Sequence, residues 1–448
     1  MGQFITLIDY LLLPFYLVLV YVIAYNFRNR KYPVGHPWRP YFMPGFTAKI
    51  VGSIFIGLIY QYYYGGGDTS NYFYHAEVIN YAFGDSIVKW FNLLFHIPHW
   101  YSGEYSDYIS LMYWYDAPSE YTVCCITAFL SIFTFTTFLP TSIIFGSLAF
   151  TGTWALFRTF ATKYPLYTKY IAWCTLFIPS TIMWGSGIFK DTICMCCLGW
   201  LTYGAFRLLI NRDFRISNIV AVFISFNLIA IIKIYILLAF LPALSLWILF
   251  TYSHKIQNSV GRLFVKVFVI GIAIAGFAFF SQKFAASLGK YSLQNVATTS
   301  SITRTYINSV SGDSGSGYDL GDFDPSIGGM LKKFPLAVNV TLFSPFIWEA
   351  KKPIVLINAL EALLFLWVTI KVLFQVGLGK VWRTISKDPT IQFCLIFTIV
   401  FAFAVGISSY NFGALSRYRI PCLPFYGIAL VLIYYKNQPL QKNIISLK

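Results

Sequence analysis

The sequence predicts an all-α protein, a bundle of membrane-crossing helices, on three observations. Of its 448 residues, 57% are hydrophobic and 11% charged, whereas about one quarter of an ordinary soluble domain is charged. Apolar runs of roughly the 17 to 25 residues that match a bilayer core recur along the whole chain. These runs show no strand-like alternation, so helices rather than a β-barrel account for them.

Twelve candidate spans follow in order: 4–25, 47–64, 121–139, 141–159, 170–188, 192–211, 216–232, 234–251, 264–281, 353–371, 391–409 and 419–435. The first lacks a basic leader and a small-residue cleavage site, so it reads as a retained helix rather than a signal peptide. All belong to one transmembrane domain, 1–448, with two long loops at 65–120 and 282–350.

Charge then orders the spans. Lys and Arg gather in 26–49, 158–169, 207–215, 255–266, 371–387 and the tail, which the positive-inside rule places on the cytoplasmic side. Of the 17 acidic residues, seven lie in 65–120 and five in 313–349, so these loops face outward. The formal net charge of +16 needs no nucleic acid, because basic loops beside anionic lipid account for it. One stretch conflicts with this order. Residues 121–157 read as two short spans around Pro140, yet only an odd number of crossings joins Glu120 outside to Arg158 inside; a re-entrant segment is one way out.

Loop 65–120 is rich in aromatic residues, and its stretch Ile87 to Ile97 suits a helix lying in the membrane interface. Loop 282–350 passes through a Gly/Ser/Asp-rich run, Ser309 to Gly321, that reads as a mobile lid. Asp313, Asp319, Asp322 and Asp324 there lack the ligand spacing of a calcium hand. All eight cysteines fall in or beside apolar spans, where the residue behaves as a small hydrophobe, and no disulfide framework is expected.

The candidate site residues stand at span ends on the outer side. Asp68 directly follows Gly65-Gly66-Gly67 and leads into Tyr72, Tyr74 and His75; an ionisable group at the mouth of a membrane helix is costly to keep dry. Lys190 and Asp191 follow a Pro- and Gly-containing stretch from Pro179, which reads as a helix broken near the surface. The bland alternative for these two is a local ion pair, and for Lys233 a snorkelling side chain. Arg417 and Arg419 enter the last helix from the outer side against the positive-inside trend, and arginine's planar fork holds phosphate oxygens in pairs. Glu361, inside an apolar helix, is expected to hydrogen-bond to a neighbouring helix.

On Gly67-Asp68 with Tyr72, Pro179-Ser180 through Lys190-Asp191, and Arg417-Tyr418-Arg419-Ile420-Pro421, the chain resembles the GT-C superfamily of integral membrane glycosyltransferases. These include protein O-mannosyltransferases and lipid A aminoarabinose transferases. The chain departs from them in having a complete helix before the one that leads to Asp68, and no second carboxylate beside it. The resemblance implies an inverting enzyme that moves a sugar from a polyprenyl-phosphate donor to a hydroxyl of a glycan, lipid or protein acceptor. Asp68 would be the general base. Lys190, Arg417, Arg419 and Arg304 would meet the leaving phosphate, with Tyr72, His75 and Asp191 around the substrate. No cofactor is assigned, although Asp68, His75 and Glu77 are near enough in sequence to admit a divalent cation, Mg²⁺ or Mn²⁺.

Two other readings use the same residues. A polymerase of lipid-linked oligosaccharides would rely on the arginines for a diphosphate and less on Asp68. A lipid-linked glycan flippase or other transporter would show internal repeats and charges at mid-span; no second copy of the glycine or Pro-Ser segments is present, and only Asp9 and Glu361 read as lying well inside spans. The expected location is a multi-pass position in a bacterial inner membrane, with the site facing the periplasm or exterior.

Overall fold

Long apolar runs become helices in the computed structural model, which describes residues 3–99, 103–253 and 327–438 together with 271, 317, 318, 320 and 321. Candidate span 264–281 apart from residue 271, Arg304 and most of the Gly/Ser/Asp-rich run lie outside the described residues. In chain order the α-helices are α1 (Leu7–Lys31), α2 (Arg39–Tyr62), α3 (Asp68–Asp85), α4 (Ile87–Leu94), α5 (Ser106–Ile109), α6 (Pro118–Ile132), α7 (Phe138–Lys163), α8 (Thr168–Leu176) and α9 (Pro179–Trp184). Then follow α10 (Lys190–Ala205), α11 (Ile216–Ser253), α12 (Ile327–Lys332), α13 (Phe334–Phe343), α14 (Pro353–Val376), α15 (Leu378–Lys387), α16 (Pro389–Ser409), α17 (Phe412–Tyr418) and α18 (Leu423–Lys436). Among the described residues there is no strand, only one isolated bridge between Gly317 and Asn411.

The chain is a multi-pass membrane protein. Seven described helices are long and apolar enough to cross a bilayer, and the bent pair α17 and α18, meeting at 67°, makes an eighth if counted as one span. Several expected spans take another form. Candidate 170–188 is the broken pair α8 and α9, and candidates 216–232 and 234–251 join as α11, whose backbone leaves helical geometry at Lys233 (φ −147°, ψ 70°). A straight helix of 38 residues would reach about 57 Å, nearly twice a bilayer core of about 30 Å, and the break at Lys233 divides it near its middle.

The helices fall into two compact units, Met1–Lys163 with Leu176–Leu237, and Tyr164–Thr175 with Leu238–Lys448. In the first unit α1 and α2 run antiparallel. The Gln61 side chain accepts from the amides of Phe4 and Ile5 at 3.1 and 3.2 Å, so the start of α1 lies beside the end of α2, at what is called here the acidic end. Asp9 sits there too, in the first turn of α1 rather than deep in a span. It accepts from the Thr6 amide at 2.8 Å and from the Leu139 amide, at the head of α7, at 2.8 Å. The α7 and α10 backbones approach closely because Gly152 and Gly199 face each other; a Cβ on Gly199 would stand 2.0 Å from the Gly152 carbonyl oxygen. Such close crossings of small residues are how helices pack without a hydrophobic drive in lipid.

This geometry resolves the crossing conflict at 121–157. Helix α6 has 15 residues, about 22 Å, and is short of a bilayer core. Its first turn meets Lys190 at the head of α10, and its far end leads through Phe135 and Thr136, both at positive φ, into the α7 head beside Asp9. Both ends of α6 are therefore at the acidic end. It packs along α3, where the Asn80 side chain donates to the Ala128 carbonyl at 3.1 Å and to Ser131 Oγ at 2.9 Å, and α7 alone crosses between Glu120 and Arg158. The apolar composition of α6 reflects burial in this layer of helices rather than passage through lipid.

In the second unit α11, α16 and α18 share an aromatic core. Phe240 meets Phe393, Phe397 and Phe425 edge to face at 5.7, 5.5 and 6.4 Å, and Trp247 stacks on Phe393 at 4.5 Å. Tyr318 and Leu320, near the close of the expected lid, are held here: the Tyr318 hydroxyl donates to the Gly406 carbonyl at 2.7 Å, and Lys333 donates to the Leu320 carbonyl at 2.7 Å.

Candidate functional site

The three glycines before Asp68 take the backbone where other residues do not go. Gly65, Gly66 and Gly67 have φ of 68°, 125° and 143°, and Gly67 at ψ −156° occupies a region essentially confined to glycine. A Cβ there would also lie 2.7 Å from the Tyr60 ring. The turn ends α2 and delivers Asp68 as the first residue of α3, where the free amides and dipole of a helix start favour a carboxylate. Asp68 is half-buried.

One face of α3 carries the polar candidates. Asp68 and His75 are seven residues apart, two turns of helix, and so lie on the same face. His75 is 0% exposed, and neither ring nitrogen has a hydrogen-bond partner. It is walled by Tyr113 at 4.6 Å and Trp114 at 5.2 Å. Burial depresses the imidazole pKa to about 4, so at neutral pH it presents one donor and one acceptor to an aromatic enclosure. The side chain of Tyr113 is largely exposed, but partial burial, with the neighbouring Cys124 and Asp68, raises its hydroxyl pKa. Thr69 Oγ1 and Asn71 Oδ1 on the same first turns are buried and also lack partners. Tyr72, 2% exposed, packs its ring on Trp114 at 4.8 Å, which commits it to the interior of this layer.

Lys190 and Asp191 do not pair with each other. Lys190 donates to Glu120 and, at 2.9 Å, to Ser119 Oγ on α6. Asp191 accepts from Lys233 at the break in α11, both groups being buried. Lys233 is therefore no snorkelling side chain. Burial opposes ionisation of Glu120, yet the bonds from Lys190 and Ser119 hold its carboxyl below the ordinary value. The Asp68 and Lys233 charges both act on Lys190, so five ionic groups of alternating sign share the head of α10.

A charge that the sequence places ambiguously lies below this cluster. Lys49, which falls both in the basic segment 26–49 and in candidate span 47–64, is in the middle of α2 and 1% exposed. Its ammonium donates to the carbonyls of Thr181 at 2.7 Å and Gly185 at 2.8 Å, the last turn of α9, where a cation offsets the dipole. Gly52 lets this broken helix sit on α2, since a Cβ there would be 2.4 Å from the Ile182 carbonyl oxygen.

In the second unit Arg419 is 0% exposed. It donates to the Ser344 carbonyl at 2.6 Å, the Thr341 and Asn358 carbonyls at 3.3 Å, and Glu361 at 3.2 Å. That satisfies the expectation that Glu361 bonds across helices and identifies Arg419 as a strut joining α13, α14 and the end of α17. Arg417, in the last turn of α17, is half-buried. Asp68, His75 and Glu77 do not form a metal set: Glu77 is two residues beyond His75, about 200° around the helix, and among the described residues no three His, Cys, Asp or Glu side chains converge. All eight cysteines are free thiols.

No known protein family, curated protein or solved structure matches the chain.

Proposed function

We propose that the chain is an integral membrane glycosyltransferase that moves a sugar from a polyprenyl-phosphate donor to an acceptor hydroxyl at its acidic, outward end. The observation that carries this reading is the α3 face: a half-buried carboxylate on a glycine-only turn, followed two turns later by a fully buried histidine with no partner for either nitrogen. Leaving such polar atoms buried without partners costs about 1–3 kcal/mol each, a cost that a bound ligand would relieve by supplying the missing hydrogen bonds. Aromatic walls with neutral donors and acceptors suit sugar hydroxyls.

In the proposed step Asp68 takes the acceptor's proton, and the acceptor oxygen bonds to the anomeric carbon. The carbon–oxygen bond to the phosphate breaks on the opposite face, and its electron pair leaves with the phosphate. Lys190, exchanging from Glu120, offers the positive charge that the departing phosphate needs. Arg419, committed to its strut, is not assigned to the phosphate. The bacterial inner membrane, with this end toward the periplasm or exterior, is part of the same proposal.

A transporter of lipid-linked glycans is a second reading, favoured by Lys49 buried at the end of a broken helix within the membrane, a feature transporters use at ion sites. Vesicles containing the purified protein and a labelled polyprenyl-phosphate hexose separate the two. A new glycosidic bond supports the transferase; movement of the labelled lipid across the bilayer with no new bond rejects it.

A further inference from the structure

We infer that α15 is a membrane-surface helix that binds the headgroups of anionic phospholipids. It has 10 residues, about 15 Å of helix and too short to cross. It connects α14 to α16 after a sharp turn at Gly377, φ 81°, so it stays at one end of those spans. Its residues divide at about 100° per position into two opposed arcs. Leu378, Val381, Trp382 and Ile385 form one arc; Lys380, Arg383 and Lys387 form the other.

Val381 alone is buried against the protein. Leu378 and Trp382 are each 72% exposed, and Phe374 just before them is 85% exposed. An apolar arc presented in this way beside two membrane spans belongs in the boundary between headgroups and acyl chains, the depth that tryptophan favours. The three cations are exposed and α15 contains no acidic residue; Asp388, which follows, is buried and already bound by Lys436 and the Tyr164 hydroxyl. Nothing within the helix neutralises its basic arc. Lipid phosphate complements it, and cations so placed are each worth roughly a fivefold gain in affinity for an anionic surface. This assignment is independent of the reaction at the acidic end.

The test titrates the full-length protein in phosphatidylcholine nanodiscs with phosphatidylglycerol and follows thermal unfolding. Saturable stabilisation is expected, with its midpoint shifted roughly a hundredfold in the triple variant Lys380→Gln, Arg383→Gln, Lys387→Gln. These side chains are exposed, so the variant folds; Trp382→Ser is the second variant and weakens the response with all charges in place. An unchanged midpoint in the triple variant overturns the assignment. So does equal stabilisation of the wild type by inorganic phosphate alone, which would indicate a free-phosphate site and not a lipid surface.

Discussion

Lys190 binds Glu120, its partner 70 positions earlier in the chain, and not Asp191 beside it. The pair links the head of α10 to the first turn of α6, and with it the whole layer of helices at the acidic end. Because the two side chains are 14% and 28% exposed, the pair is only partly screened. Lys190→Met or Glu120→Gln alone should lower stability by about 1–3 kcal/mol, and the double variant should recover part of the loss. Thermal unfolding of the four proteins measures the coupling; strictly additive losses would mean that the pair does not act as a unit.

Arg419 and Glu361 predict a different phenotype. A fully buried arginine that holds three carbonyls and a carboxylate cannot be removed without stranding them, so Arg419→Gln should cost about 3–5 kcal/mol and reduce the yield of folded protein. Glu361→Gln, which leaves a hydrogen-bonding group in place, should cost less. Size-exclusion profiles of the solubilised proteins check this. An Arg419→Gln protein that is monodisperse and as stable as wild type would contradict the strut.

Gly67→Ala tests the turn that sets Asp68. The substitution meets both a backbone region closed to alanine and the Tyr60 ring, and should cost about 1–3 kcal/mol. Adding Tyr60→Leu removes the collision but not the φ of 143°, so stability should stay low in the double variant. Full recovery there would show that the steric contact, not the backbone, is what requires glycine.

These residues show what a sequence can reveal of such a protein. The apolar runs located α1, α2, α7, α10, α14 and α16, although α2 begins eight residues ahead of its run and α1 ends six residues beyond its own, because lipid imposes one rule on every spanning helix. Helix α6 is ambiguous in the sequence because burial among α3, α7 and α10 selects the same residue types as lipid does. Asp68 stood out locally, since three glycines in a row are themselves a conformational signal. The partners of Lys190, Asp191, Lys49 and Arg419 did not, because each lies 42 or more positions away and pairing at that distance is decided by packing. The solitary lysine inside the hydrophobic stretch of α2 was the one available sign that Lys49 is not a loop residue.

His75 makes stability depend on pH in a defined direction. Its folded-state pKa of about 4 lies below the ordinary value of 6.5, so the unfolded chain takes up its proton first as pH falls. Stability contributed by the neutral ring is complete above about 6.5 and declines from there toward 4. His75→Phe should flatten this decline and, by removing two unpartnered polar atoms, raise stability by about 1–3 kcal/mol at neutral pH. Unfolding temperatures between pH 4 and 7 measure both effects; a steeper decline in His75→Phe would contradict the assignment.

The account rests most directly on Asp68. Asn preserves its size and its place at the head of α3 but cannot take a proton, so Asp68→Asn should bind the polyprenyl-phosphate donor as the wild type does while losing at least about a hundredfold in turnover. The measurement is glycosidic product formed per enzyme in reconstituted vesicles, with donor binding determined on the same preparation. Loss of turnover with binding intact is the predicted result. Near-normal product formation by Asp68→Asn would contradict it and remove the general base from the proposed mechanism.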